Sequence, residues 1–224
     1  IKLNILDSLG ATTISRPQTV CYNYSPKKVK LDSVPGDNRD SIVYTWLSAK
    51  GSNAFTTIQG ANDTVYNPGR LKDTTRYSLR YKSAQGCGID TTPSVQIGVY
   101  EDFSPGSIAI ASGQEKDTIC YNSKLDTNLY FNRKPSGAGD TFSYEWQRQT
   151  KGKSSWKTVG TNDTFYRPNK LKSTALYRVI VTAVSGCDSA FTDSVRIRVL
   201  DSLNSGVISG GQTICFNTRP DSIK

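Results

Sequence analysis

Histidine and methionine are absent from this chain of 224 residues, and glutamate occurs only at Glu101, Glu115 and Glu145. Without histidine, the chain lacks the usual general base, the commonest metal ligand and the ordinary pH switch. The three glutamates are scattered, which argues against the carboxylate pair of a glycosidase. We therefore expect no catalytic residue, no bound metal and no cofactor, and the composition indicates a protein that is not an enzyme.

Long apolar runs are absent as well. No stretch approaches the roughly 18 apolar residues that a membrane span requires, and the chain opens on no signal peptide. The lack of methionine predicts that the native N-terminus lies outside this chain. The net charge of +9 comes from Lys and Arg residues spread along the sequence. A solvated basic surface explains such a spread better than a nucleic-acid site does, so we expect no membrane span and no nucleic-acid partner in this segment.

The chain repeats itself. Residues 1–26 align without a gap onto residues 195–220, and eleven of these 26 positions are identical. A shorter repeat, of about half the distance between these two segments, lies between them, because Cys21 recurs as Cys120 and Cys87 recurs as Cys187. Internal periods of this kind are typical of tandem arrays, whose neighbouring units are the partners that we expect. We predict the last strand of a preceding repeat in 1–9, complete repeats in 10–103 and 104–203, and the first strand of a following repeat in 204–224.

Five cysteines fit this repeat. Cys21 with Cys87, and Cys120 with Cys187, would close loops of similar length, and Cys215 would be left unpaired as the start of a third pair. Nothing is clustered as in a zinc site, and free buried thiols are the alternative to disulfides. Disulfides predict an oxidising, extracellular setting, and each would stabilise its domain by about 4 kcal/mol on chain-entropy grounds.

Alternating stretches rich in Val, Ile, Tyr and Thr, bounded by Gly, Pro, Asn and Asp, predict an all-β fold. The predicted strands of the first repeat are 12–21, 28–34, 41–50, 54–58, 63–66, 74–83 and 92–100. Those of the second are 107–121, 127–131, 141–150, 155–160, 163–166, 174–184 and 191–200. Seven short strands per repeat indicate two tandem β-sandwiches of immunoglobulin-like type, with one disulfide each.

The matches between repeats indicate framework residues. Tyr44-x-Trp46 returns as Tyr144-x-Trp146, and strand alternation places each Tyr and Trp on one face, where we expect them to pack in the core. The links between repeats are only a few residues long, as in Glu101–Pro105. Flexible linkers are longer and richer in Gly and Ser, so we expect stiff end-to-end packing with Phe103 and Leu203 at the joints.

Aspartate has unusual neighbours. Of the 16 aspartates, 14 are followed directly by Ser or Thr, although these two types make up only 49 of the 224 residues. Turn chemistry alone explains Asp before a strand, but it does not explain why Asn and Gly are used less often. The tripeptide Asp-Ser/Thr-aliphatic resembles the acceptor pattern of general protein O-glycosylation in Bacteroidota. The candidate acceptors for covalent O-linked glycans are Ser8, Ser33, Ser41, Thr64, Thr74, Thr91, Thr118, Thr141, Thr164, Ser189, Ser194, Ser202 and Ser222.

The repeat pattern as a whole reads Y-x-W, N-D-T-x-Y-x-P, L-K-x-T and G-C. It resembles the Ig-like repeats of very large surface adhesins of Bacteroidota, such as gliding-motility adhesins of the SprB type and other cargo of the type IX secretion system. That resemblance implies export to the cell surface and a structural or adhesive stalk, with other copies in a filament as possible partners. The alternative is a secreted carbohydrate-binding β-sandwich, which needs a row of exposed aromatic side chains such as Tyr22, Tyr24, Tyr100 and Tyr130.

Overall fold

The computed structural model describes residues 8–36, 40–110 and 116–222. Within these ranges the regular structure consists of strands, and no helix there is long and apolar enough to cross a membrane. The strands fall into two groups, one in each repeat. The first group is β1 (Gln18–Val20), β2 (Val29–Lys30), β3 (Ile42–Lys50), β4 (Thr56–Thr57), β5 (Val65–Tyr66), β6 (Thr75–Ser83), β7 (Ile89–Thr91) and β8 (Val95–Val99).

The second group repeats this series with one more strand among the described residues. Its members are β9 (Ser107–Ile110), β10 (Lys116–Ile119), β11 (Leu129–Arg133), β12 (Phe142–Thr150), β13 (Lys157–Thr161), β14 (Phe165–Tyr166), β15 (Ala175–Ala183), β16 (Ser189–Phe191) and β17 (Val195–Val199).

The main sheet has the same strand order in both repeats. It runs β1-β8-β6-β3-β4 in the first and β10-β17-β15-β12-β13 in the second. In addition, β7 pairs antiparallel with β6, and β16 with β15. The two nine-residue strands at the centre pair over their whole length, from Ile42 opposite Ser83 to Lys50 opposite Thr75 in the first repeat. The β1–β8 and β10–β17 pairs are parallel. This register places the end of β1 beside the end of β8.

A smaller sheet covers one face of each main sheet. In the first repeat it consists of β2 and β5, with Ile14 bridged to Leu31. In the second it is β14-β11-β9. Each repeat is thus an immunoglobulin-like sandwich of two sheets with its own buried core, and the predicted all-β fold class is confirmed.

A buried tryptophan lies at the centre of each core. Trp46 and Trp146 are fully buried, and their indole N–H groups donate to the carbonyls of Asp63 and Asp163 at 2.8 and 2.9 Å. The tyrosine of each Y-x-W motif, Tyr44 or Tyr144, is partly buried and packs against the same core as its tryptophan. The backbone carbonyl of the Asp in each N-D-T motif thus satisfies the one polar atom of the buried indole.

A chain of aromatic rings continues from each tryptophan. In the first sandwich Tyr66 lies 5.7 Å from Trp46 and 5.6 Å from Tyr77 between ring centroids. The second sandwich repeats the chain through Tyr166 to Tyr177. Burial raises the pKa of both terminal tyrosines to about 12; the neighbouring Tyr66 adds to the rise at Tyr77, and Arg148 opposes it at Tyr177.

Three features differ from the predicted strands. The long strand predicted at 107–121 is two strands, β9 and β10, which belong to different sheets. The hairpin strands β7 and β16 were not predicted. Residues 201–222 form no strand and are exposed, although 204–224 was predicted to be one. A strand needs a hydrogen-bonded neighbour, and the segment has none among the described residues. Residues 1–7 of the predicted first strand lie outside the described residues.

Replacing Trp146 with Ala should lower the free energy of unfolding by about 3–5 kcal/mol, because a fully buried ring leaves a cavity. The matched control is Trp156→Ala in the same sandwich, since Trp156 stacks outside the core on the Arg178 guanidinium, 4.1 Å away, and its loss should cost about 1 kcal/mol. Chemical denaturation of both variants measures the difference. Equal losses would contradict the central role of Trp146.

Alkaline pH should destabilise the fold through Tyr77 and Tyr177. The unfolded chain releases these protons near the ordinary pKa of 10.0, whereas the folded chain holds them until about 12. Their contribution is therefore complete below pH 10 and is lost as the pH rises toward 12. The double variant Tyr77→Phe, Tyr177→Phe should flatten this fall in unfolding free energy, and an unchanged slope would contradict the assignment.

Candidate functional site: the joint between the two sandwiches

One disulfide joins the two sandwiches to each other. Cys21 of the first is bonded to Cys187 of the second, with a Cα–Cα distance of 5.3 Å. Cys87, Cys120 and Cys215 are free and exposed. The predicted pairs Cys21–Cys87 and Cys120–Cys187 are therefore wrong.

The strand register explains the correction. Cys21 directly follows β1, whose last residue Val20 lies beside Val99 at the exit of the first sandwich. Cys87 lies in the β6–β7 hairpin at the opposite end of β6. The nine residues of β6 span roughly 26 Å at about 3.3 Å per residue. A disulfide requires Cα atoms within about 7 Å, so the two cysteines of one sandwich cannot meet.

The link between the sandwiches is bound along its length by the second one. The Ala138 N–H donates to the Glu101 carbonyl at 2.9 Å, and Ser104 and Ser136 exchange two backbone hydrogen bonds of 2.9 and 3.0 Å. Ala138 and Ser136 belong to the loop between β11 and β12. The link therefore continues the hydrogen-bonded structure of the second sandwich.

Glycines permit this close approach. Gly137 has a φ of +78°, and a Cβ placed on it would collide with the Asp102 carbonyl. A Cβ on Gly139 would lie 3.2 Å from the Tyr100 ring. Phe103, predicted as a joint residue, packs against Phe142 with ring centroids 6.0 Å apart and contacts the second core. Leu203, predicted for the same role, is exposed.

The hairpin that carries Cys187 is fixed to the same loop. The Ser185 hydroxyl donates to the Ala138 carbonyl at 2.7 Å, and the Cys187 N–H donates to the Ser185 hydroxyl at 3.3 Å. The disulfide, the hairpin, the loop and the link thus form one connected set of contacts around the joint.

The predicted glycan acceptors are distributed over the surface. Thr64 and Thr74 are partly buried, and the other eleven are exposed. At four of the sites the Asp carboxylate accepts a hydrogen bond of 2.6–2.7 Å from the N–H of the acceptor residue itself; these are Thr64, Thr91, Thr118 and Ser189. The Asp side chain folds back on the main chain there, as turn chemistry predicts.

Thr74 has a structural role. Its hydroxyl oxygen accepts the Val99 N–H at 3.0 Å, and Thr174 accepts the Val199 N–H at the same distance. Ser173 precedes Thr174 where Asp73 precedes Thr74, so the threonine recurs without the aspartate. This hydrogen bond explains why the threonine recurs in both repeats. A glycan on Thr74 would have to be attached to a half-buried oxygen that already accepts the Val99 N–H.

The four tyrosines considered for sugar binding do not form one row. The Lys72 ammonium lies over the Tyr22 ring, 5.9 Å from its centroid. Tyr24 is exposed and forms a β-bridge with Leu71. The Tyr100 ring lies at the joint, beside Gly139. Tyr130 lies on the small sheet of the second sandwich, where it lines a groove of about 510 Å³ with four more aromatic side chains, those of Phe131, Phe142, Tyr144 and Phe165.

The described residues contain no group of three or more His, Cys, Asp or Glu side chains that could hold a metal ion. Glu145, one of the three glutamates, has its pKa lowered by hydrogen bonds from Thr158 and Gln147. Its carboxylate is thus occupied in binding β13, and the geometry assigns it no reaction.

The joint was only partly accessible from the sequence. Phe103 and the short link were predicted, but the roles of Gly137, Gly139 and Ser185 were not. Their signal is present in the sequence as the glycine-rich segment Ser136-Gly137-Ala138-Gly139. The opposite positions of the two cysteines could have been found by counting residues along the central strands.

Comparison with known proteins gives one family match. The family model described as Domain of unknown function (DUF8696) matches residues 10–101 and, a second time, residues 109–201. No curated protein matches the chain.

Similar solved structures are tandem domains. They include the three N-terminal domains of the highly immunogenic outer capsid protein (Hoc) of bacteriophage RB49, at 13 % identity and a TM-score of 0.46, covering 88 % of this chain and 71 % of that one. A segment of titin has 17 % identity and a TM-score of 0.47, covering 85 % and 65 %. The FN1–FN3 domains of chicken CNTN1 have 13 % identity and a TM-score of 0.39, covering 92 % and 70 %. The fold assignment rests on the strand pairing and the two cores described above.

Replacing Gly137 with Ala should disrupt the joint, because the new methyl group meets the Asp102 carbonyl. Gly152→Ala is the matched control, since Gly152 has a nearly equal φ of +79° and open space around its Cβ position. Backbone strain should cost both variants about 1–2 kcal/mol, and overpacking should cost Gly137→Ala a further 1–3 kcal/mol or so. Hydrogen exchange of the Ala138 amide should accelerate only in Gly137→Ala; equal exchange in both variants would contradict the close contact.

Proposed function

The chain belongs to the family described as Domain of unknown function (DUF8696), with two copies in tandem, and we propose that it is a segment of an extracellular, O-glycosylated stalk. In this role the sandwiches act as spacers that hold an adhesive or filament-forming part of a surface protein away from the cell. The chain would do no chemistry of its own.

The cross-joint disulfide is the observation that carries this proposal. A protein whose task is to transmit force or hold distance needs stiff connections between its domains, and default inter-domain interfaces permit motion. Here the link is hydrogen-bonded to the second sandwich, and the Cys21–Cys187 bond closes a second covalent connection beside it. Two covalent connections restrict bending and twisting far more than one does.

Each sandwich is also entered at one end and left at the other. Cys187 lies in the β15–β16 hairpin, and the chain leaves β17 at Val199, which is near the level of Ala175 at the start of β15. The length of β15 therefore separates entry from exit. Units of this kind add length when they are repeated, as a stalk requires.

The disulfide further supports an extracellular location, since such bonds persist in oxidising compartments and are rare in the cytosol. Together with the Asp-Ser/Thr pattern and the repeat motifs, it supports the narrower proposal of a Bacteroidota surface protein of the SprB type. The exposure of eleven of the thirteen candidate hydroxyls is compatible with a glycan coat, which would shield the stalk from proteases.

The groove beside Tyr130 favours a second candidate function, carbohydrate binding. Tyr130 and Phe165 lie at its surface, and stacking of sugar rings needs such accessible aromatic faces. Binding of an oligosaccharide by the unglycosylated chain, lost in the variant Tyr130→Ala, Phe165→Ala, would favour this function over the stalk.

The glycan coat is tested by peptide mass spectrometry of the chain expressed in a Bacteroidota host. We expect hexose-bearing peptides at the exposed sites Thr91, Thr118 and Ser189, and an unmodified Thr74 because its oxygen is held by Val99. Asp117→Asn and Asp188→Asn should remove the modification from Thr118 and Ser189 alone, if the carboxylate is part of the signal. Unmodified hydroxyls at all thirteen positions would contradict the coat, and modification of Thr74 would contradict the structural role of its hydroxyl.

A further inference from the structure

The cysteines of this chain are of two kinds. Cys21, Cys120 and Cys215 each begin the same turn, in which the residue three positions later donates its N–H to the cysteine carbonyl at 3.1, 3.2 and 3.2 Å. The asparagine two positions after each cysteine has a left-handed φ of 59°, 57° or 64°. We call these three residues the turn cysteines.

Cys87 and Cys187 are the hairpin cysteines. Each follows a glycine of left-handed φ, +82° at Gly86 and +77° at Gly186. The N–H of each donates to a serine hydroxyl of its own hairpin, that of Ser83 at 3.1 Å and that of Ser185 at 3.3 Å. The two cysteines thus share the preceding left-handed glycine and a hydrogen bond to a serine hydroxyl, although Ser83 lies four positions before Cys87 and Ser185 two positions before Cys187.

The bond that the structure contains joins the two kinds across a joint. The turn cysteine at the exit of the first sandwich is bonded to the hairpin cysteine at the entrance of the second. Cys120 is the turn cysteine at the exit of the second sandwich, and Cys87 is the hairpin cysteine at the entrance of the first. Both are exposed thiols.

The exit of the second sandwich carries the apolar side chains that a joint uses. The Leu200 N–H donates to the Ile119 carbonyl at 2.9 Å, as the Tyr100 N–H donates to that of Val20 at 3.0 Å. Tyr100 contacts Gly139 of the following sandwich, whereas Leu200 and Leu203 are exposed. The exit surface is therefore built like the one that is covered at the first joint.

The entrance of the first sandwich shows the complementary features. Leu9, which stands where Phe103 stands at the second entrance, lies 3.7 Å from the Cβ position of Gly88 and 3.6 Å from that of Gly36. Gly88 follows Cys87 directly. The incoming segment thus already contacts the hairpin that would be stapled.

We propose that one disulfide crosses every joint in an array of these units, so that Cys120 bonds to the hairpin cysteine of a following sandwich and Cys87 to the turn cysteine of a preceding one. The occupant of each end is a sandwich of the same kind. Residues 195–220 repeat residues 1–26. The Gln18 side-chain amide makes two hydrogen bonds, of 3.1 and 2.9 Å, to the backbone of Lys27. The Gln212 amide makes the same pair, of 3.1 and 2.7 Å, to the backbone of Asp221 near Cys215.

The bond forms by thiol–disulfide exchange. Two cysteine thiols lose two protons and two electrons, and a disulfide such as oxidised glutathione accepts them and becomes two thiols. The inference rests on the repeat and the joint, and it does not depend on glycosylation or adhesion. Its failure would leave the glycan coat untouched, and the absence of glycans would leave the disulfides untouched.

A tandem chain tests the proposal with whole, unaltered sandwiches. Residues 1–201 are followed directly by residues 8–224, a fusion in register because Asp7-Ser8-Leu9 recurs as Asp201-Ser202-Leu203. The chain is oxidised with a mixture of reduced and oxidised glutathione, remaining thiols are alkylated, and the cross-linked peptides are identified without reduction. The Cys21–Cys187 bond of each copy reports that its sandwiches have folded.

We expect the first copy's Cys120 to be bonded to the second copy's Cys87, with only the first copy's Cys87 and the second copy's Cys120 and Cys215 alkylated. In this tandem chain, Cys120→Ser in the first copy should leave the second copy's Cys87 fully alkylated, whereas the control Cys215→Ser should leave the new bond unchanged. Free thiols at the new joint beside intact Cys21–Cys187 bonds would overturn the proposal. A Cys21–Cys87 or Cys120–Cys187 bond inside a sandwich, or a bond between separate chains at Cys120, would overturn it as well.

Discussion

The covalent bond between Cys21 and Cys187 is the constraint on which the arrangement of the two sandwiches depends. It fastens the turn after β1, at the exit of the first sandwich, to the β15–β16 hairpin at the entrance of the second. That hairpin is in turn hydrogen-bonded to the loop that binds the link. The bond thus ties the turn after β1 to this hairpin and, through it, to the loop and the link. Without it, the second sandwich would be held by the link and its few hydrogen bonds alone.

Each core, in contrast, is built from residues of a single repeat. Each sandwich has a buried tryptophan whose indole N–H is satisfied by an Asp carbonyl, and a chain of aromatic rings leads from it to a tyrosine of raised pKa. The disulfide closes a loop with a sequence separation of 166 residues that runs through both sandwiches, so its chain-entropy contribution of several kcal/mol constrains the unfolded chain of both units as well as the joint. Each unit therefore draws its stability from its own hydrophobic core, and the disulfide adds to this while it fastens the joint together with the glycine-lined contact.

Strands and core residues were predicted best from the sequence, because each is marked by residue types with a single structural role. Alternation and turn residues located most of the strands, and the recurrence of Trp46 as Trp146 indicated the centre of the core. The paired hairpin strands β7 and β16 were missed because Ile89–Thr91 and Ser189–Phe191 are short, exposed and rich in polar residues.

The disulfide prediction failed for a different reason. Two cysteines in each repeat, with similar spacing, indicate a bond within the repeat, but spacing along the chain carries no information about which end of a sandwich each cysteine occupies. The strand register does carry it. Thr74 is a similar case, because the Asp-Thr pattern is the same whether the hydroxyl faces water or accepts the Val99 N–H. Repeats can separate such cases, since Thr174 keeps the hydrogen bond without the preceding Asp.

The identity of the bonded cysteines decides whether the covalent bond lies across the joint or inside a sandwich. Alkylation of the oxidised protein, digestion without reduction and mass spectrometry of the cross-linked peptides would identify them. We predict one linked pair, Cys21 with Cys187, and alkylated Cys87, Cys120 and Cys215. A peptide that links Cys21 to Cys87 would contradict the central claim, because it would place the covalent staple inside a sandwich and leave the joint without one.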